Sequence, residues 1–167
     1  MLFKGTRKRS AQAIAEEMEN VGGDINGATG VENTSYTARV LAADAPLAFD
    51  ILGDILTDSV FDEKELRREQ SVVIQEIGEL GDMPDDLVFE QFSEAAYPGQ
   101  AFGRAVLGTP ETIRSFSRRK VENYVARNYA RSVSVVAAAG AVDHAKRSEE
   151  HTSELQSHSF IRMPSSA

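Results

Sequence analysis

One run, Asp62 to Leu80, constrains this chain more than any other. Its letters, DEKELRREQSVVIQEIGEL, bring Leu66, Val73, Ile77 and Leu80 to neighbouring positions of a helix. Asp62 with Glu65 three residues on is a capping-box pattern in which aspartate replaces Ser or Thr, so the helix opens there. Glu69 and Glu76 stand seven residues apart on it. Seven steps of ~100° return to within roughly 20° of the start, about 10 Å further along the axis. The two acids form one stripe that borders the apolar side, whereas a solvated helix sets its acids opposite. Either they carry chemistry, or they sit at the stripe edge with both carboxylates in water. The letters leave both readings open.

Charge and composition remove several classes. Lys plus Arg is 18 against 26 Asp plus Glu, a net charge of −8 over 167 residues, which gives no support to a nucleic-acid surface. The basic run Lys4, Arg7, Lys8 and Arg9 is too short to reverse that. A cysteine count of 0 excludes disulfides, thiolate metal sites and a cysteine nucleophile. No apolar run approaches the ~20 residues of a membrane span. Met1-Leu2-Phe3 runs straight into charge, unlike a signal peptide, and reads as an apolar segment whose partner in the core lies upstream.

The remaining elements follow from caps and periods. Ser10 caps a helix carrying Ala11, Ile14, Ala15 and Met18, which Gly22-Gly23 stops. Asp24 to Leu41 predicts two strands. Asn33–Leu41 alternates well; Asp24–Thr29 is weak, with Gly27 inside it, and suits a sheet edge. Asp44 caps a helix with Pro46 in its first turn and Leu47, Ile51, Ile55 and Leu56 along it. Residues 85–96 predict a helix, 97–108 a loop, and Thr109-Pro110 opens a helix that runs to about Asn128. Residues 132–139, SVSVVAAA, predict a buried return strand. The order indicates an α+β layer, helices on one face of a sheet.

From Arg147 the character changes. RSEEHTSELQSHSFIRMPSSA has no sustained apolar period and predicts disorder. RSEEHTSELQS and the closing RMPSSA also resemble the translated read-through of a sequencing adapter, so residues 147–167 stand outside the functional argument. His151 and His158 leave with them. His144, in a turn after the last strand, is then the one histidine left, too few for a catalytic zinc that takes three protein ligands. No Ser-His-Asp set can be assembled, and Gly103 to Gly108 lacks the lysine of a phosphate-binding loop.

Four stretches in fixed order go further: MLFKGT, GGDINGATGVENTSY, ELRREQSVVIQEIGELGDMPDDLVFE and GRAVLGTPETI. Together they resemble the N-terminal domain of the insulinase/pitrilysin family of zinc peptidases, in its bacterial and mitochondrial-processing-peptidase-like branch. The likeness covers Met1 to Lys146. These enzymes carry an inverted zinc motif, H-x-x-E-H on a helix, with a third ligand far downstream.

The resemblance implies an α+β fold with a mixed or antiparallel β-sheet and helices packed on one face, truncated at its N-terminus. Residues 1–146 would be a partial metallopeptidase domain and 147–167 a disordered tail. In the family MLFKGT directly follows the motif, so both histidines and the glutamate base would precede Met1. Glu76, roughly 75 residues on, resembles the third zinc ligand. Glu69 resembles the supporting acid, too far along the axis to share the ion. Asn26, Gly27 and Ala28 fall on the strand that pairs with an extended peptide substrate. The implied parent is a zinc metalloendopeptidase that closes two homologous halves around a peptide. It would work in bacterial cytoplasm or periplasm, or in the mitochondrial matrix. Zn2+ belongs to that parent, and the 167 residues alone are expected to be inactive. The rival is a homologous subunit that keeps the fold without the motif, as scaffold or recognition partner.

Overall fold

Local signals start most of the elements. In the computed structural model, which describes residues 1–130 and 133–141, Ser10 Oγ accepts the Ala13 N–H at 3.1 Å and opens α1 (Ala11–Asn20). Gly22, at φ 63, ends it. β1 (Asp24–Thr29) and β2 (Thr34–Arg39) pair antiparallel, from Asp24 opposite Arg39 to Thr29 opposite Thr34. α2 (Ala45–Thr57) has Pro46 in its first turn, but the Asp44 side chain makes no capping bond. α3 (Glu63–Gly81) opens on Asp62, whose Oδ1 accepts the N–H groups of Lys64 and Glu65 at 2.8 and 3.2 Å. Glu65 turns to Arg68 instead of back to Asp62, so half of the capping box forms. α4 is Pro84–Ala96.

Two expectations are corrected. The helix expected from Thr109 to Asn128 is two, α5 (Pro110–Arg114) and α6 (Arg118–Asn128). Serine chemistry makes the break. Ser115 Oγ donates back to the Thr112 carbonyl at 2.7 Å, and Ser117 Oγ accepts the Lys120 N–H as a second N-cap. The return strand is also absent: residues 133–139 join no ladder among the described residues, and Val135 is 90% exposed. A strand is stabilised by its neighbour, and this segment has none beside it there. Ser132, His144 and the tail from residue 147 lie outside the described residues. The α+β class stands, with a two-stranded antiparallel sheet.

Leu2, Ile14, Met18, Ile51, Ile55 and Phe61 form the core, and Ile25, Tyr36, Ala38 and Val40 of the hairpin pack on it. Leu2 is 5% exposed, so the opening apolar segment finds its partners within this chain. Each such burial is worth roughly 1.5–3 kcal/mol. Phe61 takes a left-handed φ of 46, which turns the chain between α2 and α3 while its ring stays in the core.

Arg9 ties the first elements together. Its guanidinium bonds Glu17 of α1 at 2.9 Å, Asp54 of α2 at 3.0 Å, and Asp50 of α2. Thr6 Oγ1 donates to Asp54 at 2.8 Å, and Lys8 Nζ to Asp50 at 2.7 Å. Arg9 and Asp54 are nearly enclosed, with side chains 8% and 5% exposed. Partial burial works against ionising Asp50, but the hydrogen bonds from Lys8 and Arg9 outweigh it and hold the carboxyl below its usual range.

α3 stands apart from that core. Leu66 is its one buried residue. Gln70 Nε2 donates to the carbonyls of Ile113 (2.7 Å) and Phe116 (3.0 Å), which fastens α3 to the end of α5. Val73, Ile77 and Leu80 are half-buried, short of the buried stripe that the period predicts.

Replacing Arg9 by Met strands the enclosed Asp54 carboxylate, and urea unfolding should register a loss of about 3–5 kcal/mol. Asp54→Ala should cost less, about 1.5–3 kcal/mol, since Arg9 keeps Asp50 and Glu17. Because the native pKa of Asp50 is depressed, its contribution is complete above the ordinary value of about 3.9. It is lost as pH falls through the lower native pKa. Unfolding midpoints across acid pH should fall less steeply in Asp50→Asn than in the parent.

Candidate functional site

The Asp62 cap fixes where α3 begins, and the helical repeat then sets Glu69 and Glu76 on one side of it. Their surroundings differ. Glu69 is 24% exposed and pairs with Lys4 Nζ at 2.9 Å. Lys4 belongs to the 3₁₀ turn Leu2–Lys4, which the buried Leu2 anchors. Glu76 is exposed, and its carboxylate makes no hydrogen bond or ion pair among the described residues. The two acids share a stripe, and one of them is already neutralised.

Asn26, Gly27 and Ala28 lie on β1, exposed, and β1 has β2 as its one neighbour among the described residues. An antiparallel ladder alternates between residues that exchange both bonds and residues that exchange none. The Gly30 N–H bonds the Asn33 carbonyl at 2.8 Å and sets that parity. Ala28, Asn26 and Asp24 therefore direct their backbone groups to β2, while Thr29, Gly27 and Ile25 turn theirs to the outer edge. Of the three residues, Gly27 alone offers backbone to an incoming strand. Its N–H is held by Asn26 Oδ1 at 2.8 Å.

The glycine has a second reason to be there. A Cβ at Gly27 would lie 3.1 Å from the Phe3 ring and 3.2 Å from the Tyr36 ring. Those rings belong to an aromatic row: Phe3 on Tyr36 at 5.9 Å, Tyr36 on Tyr129 at 6.2 Å, Tyr124 on Tyr129 at 6.3 Å. The Tyr36 and Tyr129 hydroxyls meet at 3.2 Å. Burial first, then that hydrogen bond, raises the Tyr36 pKa. Gly27 thus serves inner-face packing as well as the open edge.

Among the described residues no group of three or more His, Cys, Asp or Glu is placed to hold a metal ion. Glu76 is a single carboxylate where a four-coordinate metal takes several protein donors, so the described residues do not make a site by themselves. A cavity of about 310 Å³ lies elsewhere, lined by Leu56, Phe61, Val125 and Tyr129 together with Arg7 and Glu122; none of Glu69, Glu76, Asn26, Gly27 and Ala28 lines it. Sequence reasoning missed Lys4 and Gln70. A basic residue in MLFKGT and a glutamine on a helix carry no local pattern that announces a contact 65 or 43 residues away.

Residues 1–110 match the family described as Insulinase (Peptidase family M16). Subunit beta of the mitochondrial-processing peptidase of Saccharomyces cerevisiae is 44% identical over 146 residues, 87% of this chain and 32% of that protein. An uncharacterised zinc protease of Rickettsia felis is 40% identical over 146 residues, 87% of this chain and 35% of that one. The chain spans about a third of the length of these relatives. Among solved structures, a protease from Helicobacter pylori superposes with a TM-score of 0.88 at 19% identity, over 98% of this chain and 40% of its own. A peptidase M16 inactive domain from Pseudomonas fluorescens superposes with a TM-score of 0.68 at 17% identity, over 74% of this chain and 31% of its own. At those identities the two structures speak for the fold.

Gly27→Ala should lower stability by about 1 kcal/mol, the crowding against Phe3 and Tyr36 outweighing the entropy gain of the added methyl. Gly78→Ala in α3, where a Cβ meets nothing within 4 Å, should raise it by about as much. Paired thermal melts read both signs.

Proposed function

The chain belongs to the insulinase family of peptidases, and on that premise we propose that it is the region of a zinc metalloendopeptidase that supplies Glu76 as one metal ligand. The observation that carries this reading is the division of labour on α3. Lys4 neutralises Glu69, and the Glu76 carboxylate stays open to an ion. Glu69 then acts as the supporting acid, holding Lys4 and its turn beside the helix instead of competing for the metal.

Zinc, when held there, would supply Lewis-acid chemistry, polarising a scissile carbonyl and acidifying a water. This chain's own part is narrower. Glu76 contributes one negative ligand, and the outer edge of β1 at Gly27 receives an extended peptide, with Asn26 and Ala28 offering side chains on either side. Cleavage would follow backbone shape more than one side chain. A second homologous half closes over the peptide in this reading, and the compartment is the mitochondrial matrix or a bacterial one. The whole-protein activity is part of the proposal, since the relatives are about three times as long.

A second reading keeps the fold and drops the chemistry: a non-catalytic subunit of the same family, serving as scaffold or recognition partner, in which Glu76 holds no metal.

The purified chain should bind less than one zinc per molecule at micromolar concentration. Supplied with an H-x-x-E-H segment, on the same chain or by a family partner, it should load zinc and cleave peptides. Glu76→Gln should then lose the metal, and Glu69→Gln should keep it with affinity about 10-fold weaker. Zinc retained by the Glu76→Gln protein would sink the ligand assignment and leave the non-catalytic reading.

A further inference from the structure

α3 is held to the rest of the protein near its middle, and the acid of interest lies beyond the hold. Leu66 is the last buried residue of the helix. Glu69 takes Lys4 on one side. On the other, Gln70 Nε2 gives one hydrogen to the Ile113 carbonyl at 2.7 Å and the other to the Phe116 carbonyl at 3.0 Å. Both acceptors are carbonyls, so the orientation of the carboxamide is settled by its partners. Ile113 is the buried residue of α5, and Phe116 sits in the joint before α6. One side chain thus locks the rotation of α3 to two points of a separate segment.

Among the described residues, the side-chain hydrogen bonds of α3 past Gln70 stay within the helix, as in Ser71 to the Arg67 carbonyl and Gln75 to Glu79. The outer half packs on α4, which buries none of its own residues and leaves Phe89 and Phe92 about 70% open (71% and 67%). Glu76 stands six residues beyond Gln70, about 9 Å along the axis. A small tilt or rotation at the hold is carried along the helix to the Glu76 carboxylate.

We propose that Gln70 is a positioning residue for Glu76: its two hydrogen bonds to the end of α5 fix the direction in which α3 presents that acid. The inference rests on the reading of Glu76 as the functional carboxylate, and adds to it a residue that touches neither metal nor peptide.

The chain has no cysteine, so spin labels at Glu19→Cys on α1 and Glu76→Cys on α3 report one distance without background. With Gln70 in place that distance should be a single narrow peak. Gln70→Leu, which fills the space but donates nothing, should lose it. Gln70→Glu, alike in size but with no hydrogen to give, should lose it by a second route. Gln70→Lys, which donates again, should recover it, and circular dichroism melts confirm that each variant is folded. A narrow peak that survives both Gln70→Leu and Gln70→Glu overturns the proposal. A zinc arm separates this from the functional reading. With an H-x-x-E-H segment supplied and no labels, Gln70→Leu should weaken zinc affinity about 10-fold, and Glu76→Gln should abolish it. Zinc affinity indifferent to Glu76→Gln overturns the functional reading, whatever the distances show.

Discussion

The Arg9 guanidinium reaches carboxylates on two helices, and three of its five N–H groups are accounted for by Glu17, Asp50 and Asp54. Thr6 and Lys8 come to the same acids from the loop before α1. This matters because the apolar core is small. Six buried side chains cannot alone fix how the opening turn, α1 and α2 approach each other. A planar donor with directional bonds can. With α1 and α2 set, Met18, Ile51 and Leu2 share one core, against which Ile25, Tyr36, Ala38 and Val40 of the hairpin pack. The 3₁₀ turn that carries Lys4 is anchored by that same Leu2, so the neutralisation of Glu69 descends from the charged knot at Arg9.

What could be seen in the letters was local. Ser10, Asp62 and Thr109 cap their helices because a capping bond spans only two or three residues. The hairpin followed from alternation in Thr34, Tyr36, Ala38 and Val40. The failures are of longer range or of competing local chemistry. Ser117 caps a new helix inside a period that otherwise runs on, and apolar spacing alone cannot detect it. Residues 133–139 have strand composition, yet a strand is defined by a neighbour that composition does not name. Leu2 reads as an orphan because its partners Ile51, Ile55 and Phe61 lie some fifty residues on.

The candidate site divides in the same way. The seven-residue spacing of Glu69 and Glu76 was visible because helix geometry is fixed. The difference between them was not, since it comes from Lys4, which approaches from the far end of the sequence. Gly27 shows the converse. Its place on a weak edge strand was readable, but its Cβ-free inner face is set by Phe3 and Tyr36, which no one-dimensional pattern brings together. Family likeness supplied the idea of a peptidase. The contacts explain why one acid is held while its neighbour is open.

The row of rings behind the hairpin has a spectroscopic consequence. With no tryptophan to drain excitation, ultraviolet emission must come from the 4 tyrosines, and three of them, Tyr36, Tyr124 and Tyr129, stand within about 6 Å of the next (6.2 and 6.3 Å). At that separation energy hops from ring to ring before it is emitted, so the light leaves depolarised. Tyr36 belongs to the sheet and Tyr129 directly follows α6. The anisotropy of native tyrosine emission is therefore a built-in gauge of whether α6 is seated on the hairpin.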